Sequence, residues 1–147
     1  MNEKIIIADK ILIKDFRIVK ASIDSPLDYK ITEAVSYRLE VNYELGFNVE
    51  QRLARANFTV TIHTDDKDAN TAEASTTFEF VFLYEIENLA DLVTEEGKGF
   101  TVDFGLSNAL ASITYSTSRG VLMSRLQGTV FGNFILPVAD PNDLFKS

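Results

Sequence analysis

The chain has 147 residues, 46% of them hydrophobic and 24% charged, with a formal net charge of -8 and no cysteine. That length predicts a single domain, residues 1–147, that buries about 70% of the surface of the unfolded chain. The composition excludes disorder, disulfide and thiol chemistry, and the acidic charge opposes nucleic acid as a partner.

No apolar run approaches the roughly 20 residues of a membrane span. The start, "MNEKIIIADKILIKDF", has only a short apolar run and lacks a small-residue cleavage site, so a soluble, cytoplasmic protein is expected.

Four segments read as strands. In "ILIKDFRIVKASI" the apolar phase slips between Ile13 and Phe16, as a bulge would produce. In "YRLEVNYEL", Tyr37, Leu39, Val41, Tyr43 and Leu45 alternate with polar neighbours. In "ARANFTVTIHT", Ala54, Ala56, Phe58, Val60 and Ile62 share one face; in "STTFEFVFLYEIE", Phe78, Phe80, Phe82, Tyr84 and Ile86 do. The short connections "GFNVEQR" and "DDKDANTA" suit antiparallel neighbours, so an α+β fold built on a four-stranded antiparallel meander is expected.

After Ile86 the period changes. "NLADLV" is expected to form a short helix that "TEEGKG" ends, and a long helix follows from about Phe104 to Gln127. Asp103 is placed as its N-cap, Arg125 in its last turn and Gly128 at C′. Projection at 100° per residue gives two apolar stripes on nearly opposite sides. Leu106, Leu110, Ile113, Thr117, Gly120, Val121 and Ser124 form one; Phe104, Ala111, Tyr115, Leu122 and Leu126 form the other.

A helix on one sheet needs only one such stripe. A second copy of the chain is therefore expected against Leu106, Leu110, Ile113, Thr117, Gly120 and Val121, whose small members permit close approach. The alternative cover is the chain's own tail, "TVFGNFILPVADPNDLF", in which Pro137 and Pro141 favour an extended strap, although this segment is short for so long a helix.

Enzyme signatures are scarce. His63, the only histidine, falls on the polar face of a strand, and no serine stands in G-x-S-x-G. The acidic loop offers Asp66, Asp68 and Asn70 in a calcium-like pattern, but Thr71 occupies the glycine position and Thr77 that of the terminal carboxylate. "EEGKGF" lacks the phosphate-loop pattern, and the sequon at Asn57 lies inside a strand. No catalytic residue, metal site or cofactor is expected. Leu89, Leu92, Val93, Phe100, Phe104, Phe131, Phe134, Ile135 and Leu136 instead supply apolar side chains in or beside irregular segments, suited to walling a groove.

This order of elements, with "ITYSTSRG" in the long helix and "FILPVADPNDLF" at the end, resembles the SecB protein-export chaperone family over roughly Ser36 to Phe145. The resemblance implies a dimer of dimers with long helices between sheets, and an ATP-independent holdase for non-native polypeptides. It places client binding at Leu89, Leu92, Val93, Phe100, Phe104, Phe131 and Phe134. The chain departs from the export members in having "FGL" where they have Phe-Pro-Tyr, in continuing its helix through "GVLMSRLQG", and in lacking their zinc tail. Export with a translocase motor, service to an antitoxin and general holding all stay open. A small apolar-ligand carrier, or another protein-interaction module, is the alternative function.

Overall fold

The computed structural model describes residues 10–27, 36–65 and 73–145. Four strands, β1 (Ile11–Asp24), β2 (Ser36–Asn48), β3 (Leu53–Asp65) and β4 (Ser75–Ile86), form one antiparallel sheet. β2, β3 and β4 pair in chain order, whereas β1 pairs with β4, giving the order β1-β4-β3-β2. The chain-order expectation thus holds for three strands. The first lies on the far edge, as one strand of a Greek key does after a long connection.

Register explains the slipped phase of β1. Ile13 faces Tyr84 and Phe16 faces Phe82, with a shift between Ile13 and Asp15; a second shift falls between Ile18 and Lys20. Each added residue restores the inward phase, so Ile11, Ile13, Phe16 and Ile18 share a face with the aromatic positions of β4. Phe16 lies 4.8 Å from Phe82 between ring centroids.

The alternation of β3 and β4 converts directly into burial. Ala54, Ala56, Phe58 and Ile62 are fully buried, as are Phe80, Phe82, Tyr84 and Ile86. The long helix, α2 (Phe104–Arg125), packs against β3. Ala54 and Ala56 carry short side chains there, which makes room for a helix, and Tyr115 comes within 5.8 Å of the Phe58 ring. Asp103 caps α2 as expected, its carboxylate accepting from the Leu106 N–H at 3.2 Å. Arg125 is in the last turn, and Gly128 adopts positive φ two residues beyond the C-cap Leu126.

The two-stripe reading of α2 is corrected by its packing. Leu106, Leu110, Thr114, Ser118, Leu122 and Leu126 are all buried, one row at every fourth position. Each step of such a row advances about 40° around the axis, so five steps carry it about 200°. A single seam winding around a long helix looks like two opposed stripes when all turns are projected together. Leu106 and Leu110, placed by the projection in an interface between copies, belong to the chain's own core.

The tail covers much of the rest. Phe131, Leu136 and Leu144 are buried, and the Tyr115 hydroxyl donates to the Pro137 carbonyl. A 3-10 turn, Pro141–Phe145, lies against both α2 and β2. The strap expected from the two prolines therefore docks on its own chain, over the side of α2 that carries Ala111 and Tyr115.

Candidate functional site

Between β4 and α2 the chain makes a one-turn helix, α1 (Leu89–Leu92), and a hairpin, β5 (Val93–Glu96) with β6 (Gly99–Val102). The hairpin was expected only as a helix-breaking connection. Its signal was present: β-branched Val93, Thr94, Thr101 and Val102 flank a two-residue Gly97-Lys98 turn, and Gly97 takes φ 60° at the first turn position. The backbone N–H of Asp103 donates to Leu92 O at 2.7 Å, which ties the hairpin to the start of α2.

This arrangement sorts the candidate apolar residues into two groups. Leu89, Leu92, Val93 and Phe131 are buried in the core, so they are not free to meet a client. For Leu89 and Leu92 the reason is the three-residue spacing of one helical turn, which sends both side chains the same way. Phe100 and Phe104 stay open, at 42% and 69% exposure, and Phe134 is partly exposed.

Two apolar patches result. In the first, Phe100 on β6 meets Phe47 near the end of β2, edge to face at 5.8 Å, and Phe104 opens α2. In the second, Phe134 packs edge to face on Tyr37 at 5.2 Å, with exposed Ile135 and Met123 contributing to a nearby cleft. Phe47 and Tyr37 stand ten residues apart on β2, which separates the patches by about 33 Å at 3.3 Å per residue. The tail docks on both α2 and β2. Phe47 was missed because the alternating run was ended at Leu45, although the period continues to it.

The titratable groups near the core are phenols. The Tyr84 hydroxyl lies 2.7 Å from that of Thr114, and burial pushes its pKa up to about 12. Burial, with Tyr84 adding to it, lifts Tyr43 higher still, and burial also raises Tyr115 against the opposing charge of Arg119. These hydroxyls stay neutral at physiological pH, and those of Tyr84 and Tyr115 tie the helix to the sheet and the tail. Phe58, Phe80, Phe82 and Tyr84 fill the space between sheet and helix where a carrier would keep its cavity.

His63 stands half-buried on the other sheet face, across from Arg38 and Ser75. Asn57, in mid-strand, accepts from Arg55 Nε at 3.0 Å. Asp66, Asp68, Asn70 and Thr71 lie outside the described residues. Among the described residues, no three His, Asp or Glu side chains are grouped to hold a metal ion, and no helix is long and apolar enough to cross a membrane.

No protein-family model matches the chain, and neither does any curated protein sequence. Solved structures do. The SecB-like chaperone Rv1957 of Mycobacterium tuberculosis, in complex with a ChAD peptide from the HigA1 antitoxin, superposes with a TM-score of 0.61 at 13% identity, covering 90% of this chain and 93% of that one. A protein of unknown function from Streptococcus agalactiae aligns over 87% of this chain and 97% of its own at 10% identity, with a TM-score of 0.36. The chain has the fold of a SecB-like chaperone.

Proposed function

We propose that the chain is an ATP-independent holdase that captures extended apolar segments of non-native polypeptides and catalyses no reaction. The observation that carries this reading is the pair of open phenylalanines on ordered backbone. Phe104 sits in the first turn of a capped helix and Phe100 on a hairpin tied to it, beside a core whose other aromatics are closed. Exposed aromatic groups held by rigid elements suit recurrent apolar contact with many sequences. Their separation from the Tyr37 patch suits a segment of about ten extended residues. The fold neighbour that holds an antitoxin peptide supports a polypeptide ligand, and favours service to an antitoxin over export.

Copies of the chain assemble, in this proposal, through the side of α2 that the sheet and tail leave open. Of the interface positions expected from sequence, Ile113, Thr117 and Val121 are partly exposed and Gly120 is exposed. The test is suppression of aggregation of a chemically denatured client at stoichiometric amounts, with mass in solution measured by light scattering. Capture that survives Phe100→Ser/Phe104→Ser would sink the reading.

A further inference from the structure

The sheet face turned away from α2 carries a cleft of about 300 Å³, at the end where β2 turns into β3. Leu53 and Leu83 are on its walls together with Phe47, and the amides of Asn48 and Gln51 are on its rim. Gly46 opens it. Gly46 stands directly across from Arg55 in the β2–β3 ladder, and a Cβ built there meets nothing within 4 Å. Any larger residue would lay its side chain over Arg55, because cross-strand neighbours on one face are about 5 Å apart.

Arg55 is exposed, and Asn57 occupies its Nε alone. Its two terminal nitrogens make no ion pair within the described residues, and they border a second, more polar cleft that shares Gly46. Glu44 lines that second cleft without pairing with Arg55. The site therefore joins one apolar hollow to one guanidinium braced at Nε. Guanidinium forks bind carboxylates in a bidentate manner, and an apolar hollow beside one selects a carboxylate carried next to a hydrocarbon group.

We infer that this cleft binds the C-terminal carboxylate of a polypeptide whose last residue is apolar. A polypeptide is favoured over a fatty acid by the surroundings. β2 is the edge strand of the sheet, whose backbone groups can pair with an incoming chain, and the rim amides match peptide bonds rather than an alkyl chain. Phe47 is shared with the Phe47–Phe100 patch, but Gly46 and Arg55 belong to this cleft alone, so variants at those two positions test it separately from the holdase reading.

Fluorescence polarisation on the full chain tests it, with a short labelled Gly-Ser peptide ending in leucine as the free acid or the C-terminal amide. The free acid is expected to bind about tenfold tighter or more, the range of a charge-assisted hydrogen bond. Arg55→Gln should erase that preference. Gly46→Val should abolish binding while the melting temperature holds or rises, since valine suits a strand better than glycine does. Equal affinity for acid and amide, no binding of either, or unchanged binding by both variants overturns the inference. Displacement of the peptide by equimolar octanoate assigns the cleft to free lipid acids and overturns it as well.

Discussion

The aromatics of β3 and β4 and those of the β5–β6 hairpin and α2 start are the same residue type with opposite fates. Phe58, Phe80, Phe82 and Tyr84 are wholly buried, whereas Phe100 and Phe104 stand open. The first group lies on every second position of central strands, with a helix laid across them. The second lies at the edge of the molecule, Phe100 on the two-stranded hairpin and Phe104 in the first turn of α2, where neither side chain is closed over. The difference teaches that residue type measures how much apolar surface a chain carries, while the layer above each element decides whether that surface is core or contact.

The sharpest way to break this comparison is to truncate one member of each group. Phe80→Ala, in the closed set, is expected to cost about 3–5 kcal/mol in denaturant unfolding, because the neighbours of a filled core relax only in part. Leu110→Asp should prevent folding of the chain itself, through a carboxylate buried without a partner, whereas Ile113→Asp should leave the fold and lower only the mass seen by light scattering. If both retain the fold, the buried row along α2 is wrongly drawn.

Next in size is the hydroxyl layer. Thr114→Val removes the partner of Tyr84 and leaves a buried phenol unsatisfied, at about 1–3 kcal/mol by chemical denaturation. Alkali acts on the same layer. The folded pKa of Tyr84 is about 12 against an ordinary 10, so the folded state holds the phenolic proton more tightly than the unfolded chain does. The stability this gives is fully present below pH 10 and is lost as the pH rises from 10 towards 12. A flat unfolding free energy across that window would contradict the burial assigned to this side chain.

The open set should respond differently. Phe104→Ser is expected to change stability by about 0.5 kcal/mol or less, the usual range for an exposed site, while weakening suppression of client aggregation. Smallest is Ser118→Ala. The Ser118 hydroxyl is buried with no hydrogen-bond partner among the described residues, so its removal should raise the unfolding free energy by a few tenths of a kcal/mol and the melting point slightly with it. A lowered melting point would reveal a partner for that oxygen.

Much of this was legible from the chain alone wherever the relevant information is local. Period-two runs placed the inward faces of β2, β3 and β4, because successive strand residues must point to opposite sides. The phase slip between Ile13 and Phe16 announced a bulge that the ladder contains. Asp103 and Gly128 bracketed α2 within a residue or two, since capping is decided by neighbouring backbone. At the candidate site the apolar surplus after β4 was equally visible, but its division into buried Leu89, Leu92, Val93 and Phe131 and open Phe100 and Phe104 was not.

Only the folded chain decided the rest, and for one physical reason: these outcomes depend on which distant surfaces meet. β1 pairs with β4 across an intervening stretch of fifty residues, as no local pattern specifies. The covered side of α2 rotates along its length because the helix lies across the sheet and under its own tail, so a projection that averages over turns cannot see it. Gly46 and Arg55 come together because the β2–β3 register sets them opposite one another. Alternation in the sequence determined which side of each strand is apolar; tertiary contact alone determined which of those apolar sides would be left over.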